Sequence, residues 1–171
     1  MELLATSTGD GSYSYDCQGD GKMRNGDNSN SQYGLMGVAA GAAGKLAVPR
    51  KYWETALAFW TGRQNSDGGW GYQRDGSRPT MTATGVFSML VCLEQLGKTR
   101  QAALEAQAVK DGMGWLEKHH REGLDMLGDV VGGEGHYYLY AAASAGRPGP
   151  DAPDGPCRLG SPAYNRWKPR A

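Results

Sequence analysis

The sequence predicts an all-α repeat protein, an α/α toroid in which outer and inner helices alternate and Gly-aromatic loops join them. Three observations carry this expectation. A Gly-aromatic loop recurs, helical stretches begin on polar capping residues and stop on Gly, and one-sided apolar helices alternate with helices that are apolar all round.

The loop is clearest at Gln64-Asn65-Ser66-Asp67-Gly68-Gly69-Trp70-Gly71-Tyr72. Ser7-Thr8-Gly9-Asp10-Gly11-Ser12-Tyr13-Ser14-Tyr15 echoes it at a constant offset of 57, with Asp, Gly and two aromatics in the same places. A weaker third copy is Gly132-Gly133-Glu134-Gly135-His136-Tyr137. A helical stretch follows each loop: from Asp27-Asn28-Ser29-Asn30 to Gly44, from Thr80-Met81-Thr82 to Gly97, and from His136 to Gly146. Short polar side chains satisfy free amides at a helix start, and Gly accommodates the turn that ends one. In the second stretch Val86, Phe87, Met89, Leu90, Val91, Leu93 and Leu96 surround the axis, as for a helix packed on all sides. Gly34, Gly37, Gly41 and Gly44 give the first a small-residue seam, read as close helix packing.

Two outer helices lie between these. From Pro49 to Gln64, Trp53, Ala56, Leu57 and Trp60 form an apolar stripe opposite Arg50, Lys51, Glu54 and Arg63. From Gln101 to Arg121, Ala102, Ala106, Val109, Met113 and Leu116 form another. Strand alternation is absent beyond a few residues around Trp70-Gly71-Tyr72. The expected domain covers residues 1–147. The remainder, 148–171, is a Pro/Gly-rich tail: six of the eight prolines lie there, and it is read as a linker or disordered end.

Composition removes several function classes. Acidic and basic residues balance at 18 each and no basic run forms, so nucleic acid has no electrostatic footprint. Cys17, Cys92 and Cys157 are odd in number and widely spaced, which describes free thiols in a reducing compartment rather than a disulfide scaffold or zinc ribbon. Met1-Glu2-Leu3-Leu4-Ala5 does not open a secretory signal, and Gly34 to Ala43 is too short to cross a bilayer. The chain reads as soluble and cytoplasmic.

Phe59-Trp60-Thr61-Gly62-Arg63-Gln64-Asn65-Ser66-Asp67-Gly68-Gly69-Trp70 resembles the QW repeat of squalene and oxidosqualene cyclases. Phe59, Gln64, Gly68 and Trp70 match that pattern, and Trp60 stands where an aliphatic residue is usual. A degenerate copy lies at Trp115-Leu116-Glu117-Lys118-His119-His120, with His120 in the Gln place. More broadly, residues 1–147 resemble uncharacterised bacterial prenyltransferase/squalene oxidase repeat proteins. The resemblance implies an α/α toroid and an isoprenoid or peptide ligand. The family ring closes with more helix pairs than are present here, about two and a half. Aligning Ser7 with Gln64 places Met1 within a preceding outer helix, so the chain reads as a fragment that begins mid-repeat. Physically, Gln64 is expected to tie its own helix's terminal carbonyls to amides of the next helix, with Trp70 covering the junction.

Catalytic motifs are missing. A cyclase of this kind needs an activated acid in an Asp-x-Asp-Asp motif, which does not occur. Zinc ligation as in prenyltransferases is only loosely suggested by Asp16-Cys17 and His136-Tyr137-Tyr138, and adjacent His119 and His120 diverge on a helix. The stretch Asp16 to Asp27 lacks the ligand spacing of a calcium loop. No cofactor or metal is therefore expected, and no catalytic residue is assigned. The remaining candidates are cavity-lining residues at the starts of the inner helices: Asn28, Asn30, Gln32, Tyr33, Thr82 and Thr84, with His136, Tyr137, Tyr138 and Tyr140 beside them. Such a set suits a hydrogen-bonding pocket or peptide-binding mouth, and equally suits satisfied helix caps. The leading expectation is a binding or structural repeat module. The alternative is part of an isoprenoid-handling enzyme, a cyclase or prenyl transferase, whose catalytic motifs are missing here.

Overall fold

A computed structural model of the chain describes residues 9–15 and 26–119. The third loop, the helix expected from His136 to Gly146 and the Pro-rich tail lie outside the described residues, as do His120 and Met1.

The described part is all-α, with five helices: α1 (Asn28–Ala43), α2 (Arg50–Arg63), α3 (Pro79–Gln95), α4 (Arg100–Leu104) and α5 (Gln107–Lys118). Among the described residues the sole β feature is an isolated bridge between Tyr13 and Asp27. Asp27 caps α1, its Oδ1 accepting the Asn30 amide at 2.8 Å. Pro49 precedes α2 and Pro79 opens α3, where a missing N–H costs nothing. α3 ends at Gly97, whose φ of 91° returns the chain while the Gly97 and Lys98 amides satisfy the Glu94 and Leu93 carbonyls.

α3 is the centre of the packing: α1, α2, α4 and α5 all lie against it. Its sequence explains why. Thr80 to Val86 are buried without a break, followed by Ser88, Met89, Leu90 and Cys92, so both sides of the helix are covered. α2 is one-sided, burying Trp53, Ala56, Phe59 and Trp60 while Arg50, Lys51 and Glu54 remain exposed.

The single helix expected from Gln101 to Arg121 is two. Ala106, in extended conformation with ψ 133°, separates α4 from α5. The break re-aims the apolar face: Ala103 is buried and Ala102 exposed, and α5 buries Val109, Gly112, Trp115 and Leu116, leaving Ala106 and Met113 half-buried. The glycine seam of α1 also differs from expectation. Gly34 receives the ring of Tyr13, and Gly41 faces Leu46 across the turn that ends the helix.

Candidate functional site

The best-defined polar construction is the junction where α2 ends, the 64–78 loop turns and α5 passes. The Gln64 amide does not bridge carbonyls to amides. It donates twice to carbonyls, to Gly68 in the loop and to Ala108 at the start of α5, each at 2.8 Å. Both oxygens have a lone pair to spare, and an amide nitrogen offers two hydrogens. The free carbonyl at the end of α2 is satisfied by Trp70: the Gln64 backbone N–H turns to the Thr61 carbonyl, and Trp70 Nε1 donates to the Trp60 carbonyl at 2.9 Å. The indole is wholly buried and meets two glycines, Gly85 of α3 and Gly112 of α5. Any side chain at either would overlap it.

Asp67 closes the other side. Its Oδ1 accepts the Gly69 amide at 3.0 Å and the Ser77 hydroxyl at 2.7 Å, and its Oδ2 accepts Trp115 Nε1 at 3.0 Å. Partial desolvation pushes this carboxyl up, but the donors from Ser77, Gly69 and Trp115 outweigh it and hold the group below the usual carboxylate range. Trp115 in turn stacks on His119 with ring centres 3.8 Å apart, and His119 Nδ1 lies 2.8 Å from the Trp115 carbonyl. A surface cleft of about 460 Å³ runs beside this network between the Gln64–Gly68 loop and Lys110, Asp111, Gly114, Trp115 and Lys118. A second, about 300 Å³, lies at the opposite end, by Leu46, Trp53 and Gln95.

The first loop is built in the same way. Gly11 and Gly68 both have positive φ, 86° and 91°, and each passes against a helix, at Thr55-Ala56 of α2 and at Asp111 of α5. Asp10 Oδ1 accepts the Ser12 amide at 3.0 Å as Asp67 accepts that of Gly69. The Tyr13 amide donates to Ser31 Oγ as the Trp70 amide donates to Thr82 Oγ1, both at 3.0 Å. Tyr13 covers Gly34 as Trp70 covers Gly85. The Tyr13 carbonyl takes the Asp27 amide and the Trp70 carbonyl that of Arg78, so the loops correspond at an offset of 57 and α1 and α3 at 51. The difference is six extra residues in the first loop, between Tyr13 and Asp27. α2 and α5 correspond at 56: Trp53, Ala56, Phe59 and Trp60 are matched by Val109, Gly112, Trp115 and Leu116 as the buried sets. Tyr15 and Tyr72 are equivalent by the loop offset.

The candidate cavity residues fall into this scheme differently. Asn28 is wholly buried, with its backbone amide on the Tyr72 carbonyl at 3.0 Å and its Nδ2 on the Gly71 carbonyl at 2.8 Å. Asn30 is half-buried and bonded to Asp27, and Thr82 is the partner of the Trp70 amide. Gln32 and Thr84 meet in the α1–α3 seam, 3.4 Å apart, with Thr84 also 2.9 Å from the Thr80 carbonyl. Tyr33 is 55% exposed. Thus Gln32 and Thr84 come together, Asn28 and Thr82 each hold the second loop, and Tyr33 faces outward. His136, Tyr137, Tyr138 and Tyr140 lie outside the described residues. Of the other residues singled out in the second loop motif, Phe59 is buried beside Trp60 with its ring under the Arg63 guanidinium, 5.1 Å from the ring centre, and Gly68 supplies the positive φ.

Sequence reading missed Asp67, Ser77, Gly85 and Gly112 as members of the junction. The offset alignment already placed Asp67 opposite Asp10; the glycines carry no signal until the indole is seen between them. In chemical terms the arrangement offers bound carbonyls and mostly engaged side chains, with Asn28 Oδ1 buried and without a hydrogen-bond partner among the described residues. Asp27 is the sole buried carboxyl among the described residues, and both its oxygens are spent on Asn30. Among the described residues no three His, Cys, Asp or Glu side chains gather to hold a metal, and no helix is long and apolar enough to cross a membrane.

Comparison with protein-family models, with curated proteins and with solved structures finds no match to the chain.

Proposed function

We propose that the chain is a repeat module of the squalene cyclase and prenyltransferase toroid type, acting in binding or assembly rather than in catalysis. One observation carries the reading: the loop that leads into α1 is rebuilt before α3 with equivalent hydrogen bonds, although the aromatic, the hydroxyl that accepts its amide and the loop length all differ. Selection of that kind preserves a way of joining helices, which is what a stacked helical array requires. The polar groups at the junction support a structural use, since Gln64, Asp67, Asn28, Thr82 and Asp27 are committed to backbone or neighbouring side chains. A cyclase acid must instead be a carboxyl free to give up its proton to an alkene.

The test is direct. The purified chain is incubated with squalene, and separately with farnesyl diphosphate and a Cys-terminated peptide, and products are sought by mass spectrometry. No cyclised or prenylated product is expected; turnover in either would overturn the non-catalytic reading. Analytical ultracentrifugation of the same samples reads self-association and farnesyl diphosphate or peptide binding. A strictly monomeric chain that binds neither would remove the binding-or-assembly role.

A further inference from the structure

The two loops deliver a hydroxyl to the same carboxylate oxygen from opposite sides of the loop base. In the first loop Ser12 Oγ donates to Asp10 Oδ1 at 2.7 Å, and the residue facing Ser12 is Gly26. In the second, the position of Ser12 is held by Gly69 and that of Gly26 by Ser77, and Ser77 Oγ donates to Asp67 Oδ1, again at 2.7 Å. The correspondence follows from the backbone: Ser12 and Gly69 precede the aromatic by one residue, and Gly26 and Ser77 precede Asp27 and Arg78, whose amides bind the aromatic's carbonyl.

The space admits one side chain only. A Cβ built on Gly69 falls 2.5 Å from Ser77 Cβ and 2.6 Å from its Oγ, and one built on Gly26 falls 2.5 Å from Ser12 Cβ. Each loop therefore has a serine on one side and a glycine on the other, with the assignment reversed. Neither Gly26 nor Gly69 has positive φ, so backbone strain does not require glycine at either; the facing serine is the tightest contact at both, with the Tyr13 carbonyl oxygen 2.7 Å from a Cβ on Gly26 and Thr82 Oγ1 2.9 Å from one on Gly69.

We infer that Ser12–Gly26 and Gly69–Ser77 are two solutions of one packing and hydrogen-bonding problem, in which a single hydroxyl positions the loop aspartate, and that the pairs are exchangeable jointly but not singly. This holds whether or not the toroid reading is right, since it concerns only the loop bases.

The first loop suits the test, because Ser12→Gly with Gly26→Ser reproduces the arrangement already present in the second. Thermal unfolding is followed by circular dichroism for Ser12→Gly, Gly26→Ser, the double variant, and Ser12→Gly with Gly26→Ala. Gly26→Ser alone is expected to lower Tm by about 5–10 °C, since overpacking cannot relax against Ser12. Ser12→Gly alone lowers it less, through loss of a hydrogen bond to a carboxylate. The double variant returns to within about 2 °C of the parent, while the Gly26→Ala pair stays several degrees lower for want of the hydroxyl. A Gly26→Ser chain that fails to fold while the double variant folds supports the inference equally. A double variant no more stable than Gly26→Ser, or one that fails to fold, overturns it. So does equality of the Ser and Ala pairs, which would show that the hydroxyl plays no part.

Discussion

Four helical glycines should split by sign when replaced with alanine, and the indole of Trp70 decides which way each goes. A Cβ on Gly85 falls 2.7 Å from both Cε2 and Cε3 of Trp70, and one on Gly112 falls 2.7 Å from Trp70 Cζ3 and 2.6 Å from Val86 Cγ2. The ring cannot retreat. It is wholly buried, pinned by the Nε1 bond to Trp60 and the amide bond to Thr82, and backed by one glycine whichever way it shifts from the other. Forced overpacking costs about 1–3 kcal/mol, and a locked ring puts these sites at the upper end. Against this, Gly→Ala in a helix gains about 1 kcal/mol. The balance for Gly85→Ala is a loss of about 2 kcal/mol, or about 4–8 °C in Tm for a chain of this size. Gly62 of α2 and Gly114 of α5 have nothing within 4 Å of a built Cβ, so the propensity gain stands alone there and stability should rise by up to ~1 kcal/mol. Urea unfolding of the four variants, compared at constant m-value, reads the split. Equal or stabilising effects at Gly85 and Gly112 would refute the close glycine contact with the indole.

Replacing Gln64 by Ala should cost about 1–3 kcal/mol, and Gln64→Glu more, because a carboxylate would face the Gly68 and Ala108 carbonyls with no hydrogen to offer; urea midpoints check the order. Asp67 is held below its ordinary value, so its contribution is fully present above the unfolded-state value of about 3.9 and is lost as pH falls through the folded one. The Tm of the parent should accordingly drop more steeply below about pH 4 than that of Asp67→Asn, and parallel slopes would remove Asp67 from the account. Cys92 is wholly buried and its thiol is pushed up to about 12 by desolvation, so iodoacetamide at neutral pH should label it only in denaturant, as read by peptide mass spectrometry.

Much of the helical plan was legible because it rests on local chemistry. Asp27 caps α1 as capping rules predict, and the all-round apolar run of Val86 to Leu93 marked α3 as the helix others pack on; at the end of α1, however, Gly44 keeps an ordinary φ of −77° and Lys45, at φ 68°, makes the left-handed turn. Legibility fails where a tertiary partner decides. Ala106 carries no breaking signal, yet the chain turns there, placing Ala103 and Val109 on α3 together, both fully buried. Gly34 reads as part of a helix-packing seam, but its neighbour is Tyr13, whose hydroxyl reaches that of Tyr52 at 3.1 Å. Burial pushes the Tyr52 hydroxyl far up, and its bond to Tyr13 adds to this, so the pair remains neutral and serves as a link between the first loop and α2. The polar starts of α1 and α3 were visible as a group, but whether each faces a pocket or a loop depends on where Gly71 and Tyr72 run, which no pattern within α1 encodes.

The repetition is also incomplete in an informative place. Asn28 holds the second loop twice, through its backbone amide to Tyr72 and its side chain to Gly71. The residue 51 positions on is Pro79, which has neither an amide hydrogen nor a side-chain donor. A loop set against the start of α3 cannot be held by that pair of bonds. Elsewhere the two units exchange one side chain for another of similar function, as Tyr13 for Trp70 or Ser31 for Thr82, and the geometry survives. At Pro79 the function itself is gone, so the contact between the first unit and the second loop is of a kind that the second unit cannot offer at the same place. The units are alike in how the loop enters its following helix, and unlike in how each receives a neighbour.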